Sequence, residues 1–200
     1  MVILGLGGIL SDAACALLKD GRLAAAAEEK KIARRHTAGE LPDEALSWCL
    51  KSAGVQPSEV DCVAVARPFA KGPESSIHLA LRSRFPNSRF VLVEHHTAHA
   101  ASAYYPSGFA DATVLTLDLQ GDFRCGTRWR ASGNDMQLES EMYEPDSIAG
   151  VYGRTTELLG FQPSADEHKV QWMSASGDDR FVALFEEILG AGDWPKPERS

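Results

Sequence analysis

The chain has 200 residues, 44% of them hydrophobic and 24% charged, with a formal net charge of −8. That size and apolar content suit one large or two small cored domains and exclude a disordered chain. The acidic balance argues against general nucleic-acid binding, which needs a basic surface to neutralise phosphates.

Residues 2–5 and 13–18 are short β-like runs separated by GGILSD, and residues 22–27 form a third after the turn Asp20-Gly21. Glu28 and Glu29 then end the strand and are expected to pair with Lys30 or Lys31 in solvent. Lys30, Lys31, Arg34 and Arg35 with His36 make the one dense basic cluster, either a solvated turn or an anion site. Residues 42–53 have helical spacing and stop at Gly54, with Trp48 expected in the core. Residues 60–66 read as an apolar strand, 75–85 as an amphipathic helix stopped by Pro86, and 90–93 as another strand.

That last strand runs into the stretch that organises the chain, VLVEHHTAHAASAYY over residues 91–105. In a helix, His95 and His99 stand four apart and share one face, so two imidazoles can bind one metal ion. His96 with His99 is a less favoured pair, and a structural or surface role is the alternative for either. The position at the carboxyl end of an apolar strand, where open α/β sheets bind ligands, favours the metal, as does Asp118 at the end of the next strand. Asp118 could equally cap its own turn.

The order βββαβαβα is that of the ribonuclease H-like unit, which actin-like ATPases use twice around a nucleotide cleft. The pattern restarts with strands at 112–117, 127–131 and 136–143, turns at LQGD and SGND, and a helix at 147–159. A loop with Glu167, His168 and Lys169 and a helix at 179–189 precede a loop-like DWPKPERS. The expected fold is therefore α/β, with residues 1–108 a complete ribonuclease H-like subdomain and residues 109–200 the first part of a second. The remainder is expected from a partner chain or a longer protein. The turns GLGGILSD and DLQGDF, with Gly7, Gly8 and Gly121, offer backbone N–H groups to phosphates in such an architecture.

Cys15, Cys49, Cys62 and Cys125 lack any CxxC spacing and read as core residues in a reducing compartment. The apolar start MVILGLGGIL has no basic segment before it, and no apolar run reaches membrane-spanning length. A cytoplasmic protein with no membrane partner is expected.

ILGLGG, SDAACALLKDGRLAAAAEEKKIARRH, PDEALSWCLKSAGV, VEHHTAHAASAYYPSGF, VLTLDLQGD, SIAGVYGRTTELLGF and HKVQWMSASG together resemble the N-terminal, Kae1-like part of carbamoyltransferases of the NodU and TobZ type. HHTAHAASAYY is the most specific element. The resemblance implies an enzyme that moves a carbamoyl group from carbamoyl-adenylate, made from carbamoyl phosphate and ATP by a YrdC-like domain, to a hydroxyl of a secondary metabolite or sugar. By position it makes His95, His99 and Asp118 ligands of iron, zinc or manganese, places Lys169 and the glycine turns at the nucleotide, and gives Asp12 and Arg35 to catalysis.

Several positions depart from the family pattern. Ser11-Asp12 stands where an HD pair is common, so a substrate-facing histidine is missing. Arg35 stands where lysine is typical and can clamp an anion but serves poorly as a base. Leu119 replaces the first glycine of the aspartate turn, and His168 and Trp172 replace glycines around a G-K motif. These departures support a second reading, a catalytically inactive binding or assembly subunit. A third is a relative acting in threonylcarbamoyl transfer to tRNA, which the acidic charge does not favour.

Overall fold

Asp20 and Gly21 both adopt left-handed φ, 52° and 77°, the geometry by which a two-residue turn matches the twist of its flanking strands. They join β2 (Ala14–Lys19) to β3 (Arg22–Glu28), and β2 pairs antiparallel with β1 (Val2–Gly7). The computed structural model describes residues 1–35, 37–68 and 74–189, so His36 and the DWPKPERS tail lie outside the described residues. The chain divides into two units, Met1–Ala98 and His99–Ser200.

The first unit continues through α1 (Glu29–Ile32), α2 (Asp43–Ala53), β4 (Cys62–Ala66), α3 (Ser75–Arg84) and β5 (Arg89–Val93). β4 runs parallel to β1 and β5 parallel to β4, giving one mixed sheet in the order β3-β2-β1-β4-β5. The apolar alternation of β1 and β4 places Leu4, Leu6, Val63 and Val65 in a core with Leu46 and Leu50 of α2 and Ile77 and Leu81 of α3. Cys15, Cys49, Cys62 and Cys125 are all buried and unoxidised. Burial pushes the thiols of Cys15, Cys49 and Cys125 up, which keeps them protonated core groups.

Helix α2 begins after Pro42, whose side chain has no acceptor for the orphan N–H groups of the first turn. Glu29 fills that place from α1: it is only 6% exposed and accepts from the N–H of Ala45 at 2.8 Å and of Glu44 at 3.3 Å. The expectation of a solvent pair at Glu29 is therefore corrected, because the helix N-terminus draws the carboxylate inward. Glu28 lies 4.0 Å from Lys31, while Lys30 pairs with Asp12. Trp48 is also corrected: at 43% exposed it lies outside the stripe that α2 buries.

The division between the units falls inside α4 (His95–Tyr104). The second unit holds an antiparallel sheet in the order β6 (Asp111–Gly121), β7 (Arg124–Ser132) and β8 (Asp135–Tyr143). Its core joins Ala100 and Tyr104 of α4 to Val114, Trp129 and Ala131. On the same buried strand positions the Thr116 and Thr127 hydroxyls bond at 2.6 Å and the Trp129 indole N–H donates to Thr127 at 2.6 Å, so these three polar groups satisfy one another.

α5 (Ile148–Leu158) packs against β6 and is followed by α6 (Glu167–Ser174) and α7 (Val182–Leu189). Residues 167–169, expected in a loop, thus begin a helix. The β6–β7 turn also falls later than expected, on Asp122 and Phe123 with φ of 55° and 70°. No helix among the described residues is long and apolar enough to cross a membrane.

Two glycines separate space from backbone angle. Gly8 (φ 64°) would place a Cβ 2.5 Å from the Asp12 carbonyl oxygen, whereas Gly54 (φ 63°) has nothing within 4 Å. Gly8→Ala is expected to cost about 3 kcal/mol and Gly54→Ala about 1 kcal/mol in urea denaturation; equal losses would contradict the turn geometry at Gly8. Glu29→Ala should cost about 2 kcal/mol by the same measurement, through the two N–H groups it strands.

Candidate metal centre

The helical rise brings His95 and His99 onto successive turns of α4, and β6 supplies Asp118. The three side chains offer ligand atoms that lie within 4.8 Å of one another. His99 Nε2 stands 3.7 Å from Asp118 Oδ2. A shared ion at about 2.1 Å from each donor holds them no more than about 4.2 Å apart, so small side-chain rotations close the set. All three remain partly open to solvent.

Two of the three donors, His95 and Asp118, are aimed by backbone. The Arg67 carbonyl lies 3.3 Å from His95 Nδ1; donation from Nδ1–H to that oxygen leaves Nε2 as the ligating nitrogen, a common outer-shell arrangement for metal-bound histidine. Asp118 Oδ1 accepts from the Leu119 N–H at 2.7 Å, which fixes the carboxylate with Oδ2 toward His99. Regular β6–β7 pairing ends at Leu117 opposite Gly126 and resumes at Gly121 opposite Arg124. Asp118 therefore sits where the ladder is interrupted.

α4 is seated by its other face. Ala100 is fully buried, and the Tyr104 hydroxyl lies 2.8 Å from the Ala110 carbonyl and 3.1 Å from the Gly133 carbonyl. Tyr104, one of two tyrosines that close the histidine helix, is thus an anchor of the core. Tyr105 donates to the Asn134 carbonyl at 2.9 Å. His96 is buried and stands edge-on to His95, ring centroids 5.2 Å apart.

The other residues singled out from sequence have separate surroundings. Asp12 follows the Gly8 turn and pairs with Lys30. Gly7 ends β1, where an added Cβ would stand 3.8 Å from the Ala66 Cβ. Arg35 lines an open cavity of about 970 Å³ in the first unit together with Glu40, Asp43 and Glu44. Gly121 belongs to β6, opposite Arg124. Lys169, on α6, forms an ion pair with Asp166 at 2.8 Å and lies 5.6 Å over the Phe161 ring; the Lys169 ammonium holds the Asp166 carboxyl below the usual carboxylate range.

The Arg67 carbonyl and Leu119 N–H were not singled out from sequence. As main-chain atoms they carry no side-chain signal.

Comparison with known proteins gives these features a family. The chain is 31% identical to Nodulation protein NolNO of Sinorhizobium fredii, a match covering 96% of this chain and 34% of that protein. It is 34% identical to Nodulation protein NolO of Bradyrhizobium diazoefficiens over 51% of this chain and 19% of that protein. The chain spans about a third of the length of the curated relatives it matches most fully. Among solved structures, YeaZ from Pseudomonas aeruginosa superposes with a TM-score of 0.50 at 23% identity, over 74% of this chain and 68% of that one, a likeness of mixed α/β fold. Residues 76–193, more than half of the sequence and including α4 and β6, match the family described as Carbamoyltransferase N-terminus, and the chain belongs to that family.

Proposed function

We propose that this chain is the N-terminal, Kae1-like part of an enzyme that transfers a carbamoyl group from carbamoyl-adenylate to a hydroxyl of a secondary metabolite or sugar. The observation that carries the reading is the meeting of His95, His99 and Asp118 on α4 and β6. The strand order β3-β2-β1-β4-β5, antiparallel at one side and parallel at the other, supports the ribonuclease H-like form of the fold. Residues 1–108 are then one subdomain and residues 109–200 the first part of a second. The acceptor, carbamoyl phosphate and ATP are the small-molecule partners, and a YrdC-like domain that makes the adenylate belongs to a longer protein or a partner chain.

Two imidazole nitrogens and one carboxylate suit Fe²⁺, Zn²⁺ or Mn²⁺ and leave coordination positions for oxygen ligands. A bound ion there supplies fixed positive charge to phosphate oxygens of the nucleotide. The chain's own residues do the rest. His95 is held by the Arg67 carbonyl with Nε2 presented, and Asp118 is held by the Leu119 N–H with Oδ2 presented. The N–H groups around Gly7, Gly8 and Gly121 and the ammonium of Lys169 serve the phosphates. Arg35, permanently charged, clamps an anion in the cavity it lines, and Asp12 is the second residue assigned to catalysis.

Elemental analysis of the purified chain tests this reading. Close to one ion per chain is expected, with affinity falling in His95→Ala, His99→Ala and Asp118→Ala by more than the roughly 10–100-fold typical of losing an outer-shell partner. A chain that takes up no metal after anaerobic reconstitution with iron, zinc or manganese sinks the metal site and leaves the inactive-subunit reading in front.

A further inference from the structure

We propose that Ser147 is a positioning residue for Asp118, a role that rests on the metal reading above. Ser147 is the N-cap of α5, with extended backbone angles (φ −68°, ψ 117°), and is 4% exposed. Its hydroxyl oxygen accepts from the Gly150 N–H at 3.0 Å and its hydrogen is donated to the Asp118 carbonyl at 3.0 Å. One serine oxygen has one hydrogen and two lone pairs, and here they tie a helix start to the residue that presents the carboxylate.

The interrupted ladder explains why such a tie is needed. Between Leu117 and Gly121 the β6–β7 register breaks, so the main chain at Asp118 is not held by regular strand pairing. Ser147 holds the carbonyl oxygen of the 118–119 peptide group from the helix side, while the N–H of that same peptide group, on Leu119, holds Oδ1. The two bonds fix both ends of one planar amide and with it the direction in which Oδ2 faces His99. Gly150 allows the approach: a Cβ there would sit 3.3 Å from Ser147 Cβ and 3.7 Å from Leu119 Cδ1, so the first turn of α5 closes on this stretch because that position lacks a side chain.

An N-cap that only stabilised α5 would be replaceable by glycine, which is tolerated at that position almost as well as serine. The tie to Asp118 requires a hydroxyl. Ser147→Gly and Ser147→Thr therefore separate the two roles, with far-UV circular dichroism and thermal midpoint recording the fold of each. In Co²⁺ titrations followed by the visible ligand-field spectrum, Ser147→Gly is expected to weaken binding about tenfold and alter the band pattern, as loss of an outer-shell partner does. Ser147→Thr should restore both.

A second readout needs no metal: amide hydrogen exchange at Leu119 should accelerate in metal-free Ser147→Gly and stay slow in Ser147→Thr. A native chain that binds Co²⁺ while Ser147→Gly binds it equally well with the same spectrum overturns the positioning role and leaves the metal centre standing. A native chain that binds no Co²⁺ removes the metal centre and the role built on it. Unchanged Leu119 exchange in folded Ser147→Gly overturns the tie itself.

Discussion

The candidate centre depends on the seating of α4 against the β6–β8 sheet. A helix can present two histidines one turn apart without help, but their place relative to a strand is fixed only by what the helix packs on. Ala100, with its small side chain, lets α4 come close, and Tyr104 one turn later buries its ring in the same core. The tyrosine hydroxyl reaches the Ala110 and Gly133 carbonyls, so the end of the helix is pinned to the ends of two strands. Helical rigidity carries that constraint back to His99, one residue before Ala100. An apolar contact and a hydrogen bond on the buried face thus set the separation between His99 and Asp118 on the other.

On the strand side the chain departs from regularity where the site lies. β6 pairs with β7 through Leu117, then loses register until Gly121, and turns on two non-glycine residues of positive φ, Asp122 and Phe123. Phenylalanine in the left-handed region is costly, of order 1–3 kcal/mol, and the exposed Phe123 ring gains little by burial in return. The surrounding ladder and the α5 contacts hold the strand end in this form. A regular hairpin would pair the Asp118 peptide groups with β7; the break instead turns them toward the Ser147 hydroxyl, while the Leu119 N–H meets the carboxylate.

Much of this was legible in the sequence because it is local. The meanders follow from period-two alternation, the stop of α2 from Gly54, the histidine face from i, i+4 spacing, and the start of α5 from a serine before an apolar run. The failures have physical causes. At 100° per residue Trp48 falls about 60° outside the stripe of Ala45, Leu46, Cys49, Leu50 and Ala53; its apolarity was weighed above its angle. Glu29 reads as a solvated charge because its partners at the uncapped start of α2 lie 15 and 16 residues away. Residues 167–169 read as a loop because EHKVQWMS is short and mostly polar, although Glu167 in the first turn suits a helix N-terminus. Backbone partners such as the Arg67 carbonyl leave no trace in sequence at all.

Lys169, the lysine proposed to meet phosphate, is engaged by Asp166, and magnitude decides what that means. Lys169 with Asp166, and Lys30 with Asp12, are pairs at or near the surface, and such pairs are typically worth about 0–1 kcal/mol because water screens them. Because the pair is so weakly held, a phosphate group, which can accept from several donors at once, can take Lys169 from Asp166 at little cost. The backbone around Asp118 is different in kind: its direction is set by paired hydrogen bonds and an interrupted ladder, and moving it means breaking contacts of buried groups. The backbone at Asp118 is therefore held stiffly, and Lys169 loosely enough to exchange one anion for another.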